Sequence, residues 1–256
     1  MLSIDLSMVE YLRHLHENPM TDLRAAITLL FTFTFVASVL VTPNFSGFTA
    51  DQLPIAQVDP PIQPAGYAFA IWGLIYAGLA ISAIFGLAVR IEDDAWEETR
   101  FPLILSLGLG TPWLWVATQN AIAATVLIFA MAFFAIVALL RSPDHDRWLL
   151  RAPIALFAGW LTAASFVSLG SVLAGYGLLM DQVGWAYACI GFALVIALIV
   201  QNRAKGAPEY GLVVVWALVG IIVANYSEHF IVAVTAGAGI IIILLTLARN
   251  TARAPA

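Results

Sequence analysis

Seven stretches of this chain carry no Asp, Glu, Lys, Arg or His and are long enough to cross a membrane: residues 25–50, 64–89, 101–140, 152–180, 182–202, 210–227 and 230–248. Crossing a hydrocarbon core of roughly 30 Å takes about 20 apolar residues in a helix. The third stretch is too long for one span at about 1.5 Å per residue. It contains TPWLWVATQN, whose Thr118, Gln119 and Asn120 supply a polar break. Splitting it there gives eight transmembrane helices, expected near residues 25–42, 64–89, 102–118, 121–140, 152–174, 183–202, 210–225 and 230–248. The expected fold class is an all-α integral membrane protein, with the lipid bilayer as its first partner.

Composition agrees. Of 256 residues 62% are apolar and 11% charged, too little polar surface to cover a soluble globule of this length. The net charge of −5, with basic residues scattered in pairs and triplets, offers no stripe to neutralise phosphates and points away from nucleic acid. The single cysteine, Cys189, gives no disulfide framework and no Cys-based metal spacing. Residues 25–50 hold an apolar core longer than that of a signal peptide, with no A-x-A-like site to close it, and so read as the first membrane helix. Asp5, Glu10, Arg13 and Glu17 interrupt residues 1–19, which are expected to contribute nothing to the membrane fold; Met20 is an alternative start.

Every Lys and Arg falls in an alternate segment between the helices: Arg13 and Arg24; Arg90 and Arg100; Arg141, Arg147 and Arg151; Arg203 and Lys205; Arg249 and Arg253. Positive residues resist translocation, so both termini are expected in the cytoplasm, and the alternation supports the helix count. The bacterial inner membrane is the expected location. The opposite loops carry Asp51, Asp59, Asp181, Glu228 and His229. Trp148 and Trp185 lie near helix starts and read as interfacial belt residues. GYAFAIWG (residues 66–73) and GWAYACIG (residues 184–191) share a pattern and open the second and sixth helices. A four-plus-four duplication would produce this echo, and chance in a chain rich in Gly, Ala and aromatics produces it as readily.

The expected spans contain no ionisable Asp, Glu, Lys, Arg or His. That argues against a proton-coupled pump and against intramembrane acid–base catalysis or metal chemistry. They do contain tryptophans at depth: Trp72, Trp113, Trp115, Trp160 and Trp216. Counting from the expected helix ends places Trp72, Trp113 and Trp160 near the midplane, where they either pack between helices or line one aromatic pocket. Gly108, Gly110 and residues 236–239 (AGAG) read as sites of close helix approach. Gln119, Asn120, Asp181, Asn225, Glu228 and His229 read as solvated loop residues, with a pocket mouth as the alternative.

PPIQPAGYAFAIWGLIYAGLAIS resembles the start of the second helix of the TspO/MBR family, the tryptophan-rich sensory or translocator proteins. GTPWLWVATQN is similar to that family's Trp-containing third helix, and IALFAGWLTAASFVSL to its fifth, a Trp followed four residues later by a small residue. The resemblance covers residues 25–175. It implies a polar tail over residues 1–23, a five-helix region over 24–175, three further helices over 176–249 and a short tail over 250–256. It also implies a hydrophobic ligand pocket lined by Pro64, Phe69, Trp72, Tyr76, Trp113, Trp160 and Ala164. The family's Trp-rich first loop is reduced here to PPIQP, and Gly110 stands where the family has a polar Asn.

Family members bind porphyrins and sterol-like or drug-like ligands. The resemblance therefore implies a membrane sensor or binding protein for a planar hydrophobic ligand such as a tetrapyrrole, moving it across or along the membrane in one version of the role. Aromatic rings would stack on the ligand and polar groups at the mouth would hold its carboxylates. No cofactor and no enzymatic activity are expected. A secondary transporter of small apolar or zwitterionic solutes is the alternative, favoured by the echo and the even helix number. A five-helix cup with three added helices favours the sensor, a pseudo-symmetric bundle the transporter. The oligomeric state is open, with a homo-oligomer as one option.

Overall fold

A computed structural model of the chain describes residues 19–42 and 47–252. The expectation that residues 1–19 are dispensable falls, but for Pro19, outside the described residues, as do Arg13 and Arg253. Among the described residues eight α-helices follow one another: α1 (Pro19–Val41), α2 (Ile71–Ala88), α3 (Asp94–Gln119), α4 (Ala121–Arg141), α5 (Arg151–Gly175), α6 (Gln182–Arg203), α7 (Pro208–Asn225) and α8 (Phe230–Ala252). All eight are long and apolar enough to cross a membrane, that of α2 counted with the 3-10 turn Gly66–Ala70 that leads into it. The protein is an all-α integral membrane protein.

Most helix ends fall within a residue or two of the sequence expectation, and four do not, one being α2, which starts at Ile71 after a 3-10 turn instead of near residue 64. Helix α1 begins at Pro19, so the last residues of the expected polar tail belong to it, and α8 continues to Ala252. Helix α3 begins at Asp94 instead of near residue 102. Charge marks where the apolar run ends, but it does not end a helix. Asp93 caps α3 by accepting from the backbone N–H groups of Ala95 and Trp96, and acidic Asp94 and Glu97 suit a helix N-terminus. The extension carries Arg100 into a buried position, contrary to helices free of ionisable groups. There it donates to the carbonyls of Gly86, Arg90 and Ile91 and pairs with Glu97 at 2.8 Å. A cation in that place satisfies carbonyls left over at the C-terminus of α2.

The helix pairings define two groups that share α5. In the first, α1 packs on α2, α2 on α5, α5 on α4, α4 on α3 and α3 back on α1, which closes a ring of five. In the second, α6 and α7 pack on α5, and α8 packs on both. The first group's pairings α1–α2, α1–α3 and α3–α4 recur in the second as α5–α6, α5–α7 and α7–α8. The rings differ in closure, because α6 meets α8 directly whereas α5 stands between α2 and α4. Two packing solutions thus coexist, a five-helix cup and a four-helix echo of it.

Helix α5 is central because its sequence is small and weakly polar. Ala155, Ala158, Gly159, Thr162, Ala163, Ser165 and Ser171 are all buried, and small residues let helices approach closely in lipid. Its hydroxyls bond across helices: Thr162 with the Tyr210 hydroxyl at 3.0 Å, and Ser165 to the Ile128 carbonyl at 3.3 Å. Of the glycines expected at close approaches, Gly110 and Gly239 are there, whereas a Cβ at Gly108 or Gly237 would meet nothing nearer than 3.6 Å. Gly110 faces Phe35 and Met131, and Gly239 faces Leu194 and Leu218.

Ion pairs gather the described basic segments at one end of the bundle: Arg24 with Glu97, Arg90 with Asp146, Arg147 with Glu209, and Arg151 with Asp144. The Arg90 guanidinium beside Asp146 holds that carboxyl below the usual carboxylate range. Trp148 is exposed, as a belt residue would be, with the Arg147 guanidinium over its ring. Trp185 is not a belt residue: it is buried, and its indole N–H reaches the Leu178 carbonyl at 2.6 Å, so protein satisfies the polar end instead of interfacial water.

Candidate ligand cavity

Trp72 and Trp160 meet, and Trp113 stands on the wall of the same cavity. Trp72 is the second residue of α2, Trp113 lies in the last two turns of α3, and Trp160 lies nearer the middle of α5. The longer α3 and the later start of α2 place Trp113 and Trp72 toward the end of the bundle opposite the basic residues. There Trp72 stacks on Tyr76 with ring centroids 5.2 Å apart and an interplanar angle of 19°, as their spacing of one helical turn allows. Trp72 meets Trp160 edge to face at 6.2 Å, and Phe69 meets Trp160 likewise at 5.7 Å. Phe35 of α1 and Phe157 of α5 back this group, Phe35 touching Trp72, Tyr76 and Phe157.

Beside the cluster is a cavity of about 480 Å³. Pro64, Phe69, Trp72, Tyr76, Trp113, Trp160 and Ala164, the seven residues assigned to a pocket by resemblance, all stand on its wall. Helix α5 contributes one face at helical spacing, running from Trp160 through Ala164 and Val167 to Ser168 and Ser171. Gly47, Phe48 and Gln63 of the first loop complete the wall on the side away from the basic residues. The Trp113 indole is satisfied by the Ala124 carbonyl at 2.9 Å. The Trp160 indole N–H is buried and has no acceptor among the described residues, the kind of donor whose isolation costs about 1–3 kcal/mol.

The loop and the 3-10 turn that carry Pro64 and Phe69 are held by α7, a contribution with no signal in the resemblance. The Asn225 amide donates to the Pro61 carbonyl at 2.9 Å, the Gly220 carbonyl accepts from the Ala65 N–H at 3.0 Å, and the Trp216 indole donates to the Ala68 carbonyl at 2.8 Å. Residues 216, 220 and 225 all fall within the last ten positions of α7. Gly220 is required by closeness, since a Cβ there would come within 2.8 Å of Pro64. Asn225, expected as a solvated loop residue, is instead a buried clamp. Asn120 and Asp181 are N-caps, accepting from Ala123 and Gly184 respectively.

The remaining tryptophans do other things. Trp115 is 63% exposed on the outer surface of α3, as it must be two positions from an inward Trp113. Trp96, expected in a loop, is buried in the first turn of α3, packed on Gly86 and donating to Asp146 at 3.2 Å.

A family model described as TSPO-like protein matches residues 24–249. The chain belongs to the TSPO-like protein family. The match runs through all eight helices of this TSPO-like protein, beyond the 25–175 stretch in which the resemblance is visible by eye. No curated protein and no solved structure matches the chain.

Proposed function

We propose that this TSPO-like protein binds a planar, largely apolar ligand, tetrapyrrole-like or sterol-like, in the aromatic cavity of its five-helix ring. The observation that carries the reading is the enclosure of one cavity of about 480 Å³ by Trp72, Tyr76, Trp113 and Trp160 from three helices. Its size lies within the usual range of small-molecule sites, roughly 300–1,000 Å³. Aromatic walls suit flat rings, each such contact adding about 0.5–1.5 kcal/mol beyond area burial. In this reading the role is binding, which suits a wall of aromatic, aliphatic and hydroxyl-bearing side chains.

The test is titration with protoporphyrin dimethyl ester, read by quenching of tryptophan fluorescence in detergent. Saturable quenching is expected, with Trp72→Ala weakening binding by several-fold or more. The control is Trp115→Phe, on the exposed surface of α3. Quenching that never saturates, or that Trp72→Ala leaves unchanged, would mean partitioning into the micelle.

Movement of the ligand across the membrane is the second reading, supported by the recurrence of three helix pairings in the two halves. In either case the orientation we propose puts the basic end in the cytoplasm, from the alternation of Lys and Arg. In a Cys189→Ala background, Ser227→Cys should react with an impermeant maleimide added to intact cells and Lys205→Cys should not, both sites being exposed. The reverse labelling would invert the topology.

A further inference from the structure

We propose that the cavity selects uncharged and cationic planar molecules and rejects carboxylates, an inference that rests on the binding reading above. No Lys, Arg or His reaches the cavity wall among the described residues; its polar side chains are the hydroxyls of Thr42, Tyr76, Ser168 and Ser171 and the amide of Gln63. The first loop, residues 42–65, supplies Gly47, Phe48, Gln63 and Pro64 to that wall, and its charges are Asp51 and Asp59. The other connections at this end add Asp181, Glu228 and one histidine, His229. The hydroxyl of Thr49 bonds to the Asp51 carboxylate at 2.5 Å and holds its pKa below the usual range, which keeps the charge in place.

The nearest guanidinium groups are no help to an anion. Arg151 lies nine positions, about 14 Å of helix, before Trp160 on α5, and the guanidinium groups at that end are paired with carboxylates. A carboxylate entering the cavity would shed water and gain no cation, a loss that isolated buried charges do not recover. A cation in the cavity faces the negative π surfaces of indole and phenol rings, and the first loop that helps to wall it carries Asp51 and Asp59 and no basic residue. The idea that polar mouth groups would hold ligand carboxylates is therefore replaced by its opposite.

The experiment compares three ligands on one macrocycle with the full chain in non-ionic detergent: protoporphyrin dimethyl ester, the free diacid, and a derivative whose two arms end in quaternary ammonium. The ester and the ammonium derivative should bind saturably, and the diacid more than about tenfold more weakly. The double variant Asp51→Asn, Asp59→Asn should weaken the ammonium derivative, strengthen the diacid and leave the ester unchanged; Asn also tolerates the positive φ of 45° at position 59. Diacid binding as tight as that of the ester, with Trp72→Ala weakening both, would overturn the selectivity and leave the binding reading standing. Failure of all three ligands to saturate would overturn both.

Discussion

Ala164→Phe is expected to lower affinity for a planar ligand by at least about tenfold while leaving the protein folded. Ala164 sits between Trp160 and Ser168 on the α5 face that walls the cavity, so a phenyl ring at that position fills the space a ligand would take. The substitution adds no polar atom and costs only about 0.5 kcal/mol of helix propensity. Because the new ring enters open volume, the overpacking penalty of a full core is avoided. Fluorescence titration with the uncharged porphyrin, alongside thermal unfolding in detergent, separates the two effects. Wild-type affinity in a folded Ala164→Phe protein would show that the ligand sits elsewhere.

Gly159→Val should have the opposite profile, a loss of stability on the order of 3 kcal/mol. A Cβ at position 159 would lie 2.5 Å from the backbone oxygen of Tyr210 and 3.3 Å from its carbonyl carbon and Cα. Backbone cannot rotate out of the way as a side chain can, so α7 has to move off α5. That movement pulls on the Pro61, Ala65 and Ala68 contacts, so the cavity wall should loosen with it. Thermal unfolding followed by monodispersity on size exclusion checks the stability; an unchanged midpoint would mean that α5 and α7 do not meet this closely.

The spans were legible because lipid as solvent demands long uncharged runs, a demand no neighbouring helix can relax. The N-terminus of α3 was not, since capping by Asp93 and the pairing of Arg100 with Glu97 are local chemistry that hydropathy does not register. The pocket tryptophans stood out as a rare residue type in the wrong solvent. Phe35 and Phe157 did not, being two among 15 phenylalanines. A signal for Ser168 and Ser171 was present: with Trp160 and Ala164 they repeat at three- and four-residue intervals on α5. Trp185 and Asn225 misled because a polar atom near a helix end can be satisfied by water or by a buried carbonyl, and sequence does not distinguish the two. The role of α7 as the clamp on the first loop depends on contacts between residues more than 140 positions apart, such as Trp216 with Ala68.

The most direct test of a ligand site within the five-helix ring is photo-crosslinking with an uncharged planar aromatic carrying a diazirine, mapped by peptide mass spectrometry with and without excess unmodified ligand. The cavity predicts competed labelling on the first turns of α2, the last turns of α3 and the Trp160-to-Ser171 face of α5. Labelling that falls instead on outward residues such as Trp115, Phe133 and Ile241, and that excess ligand does not reduce, would contradict it.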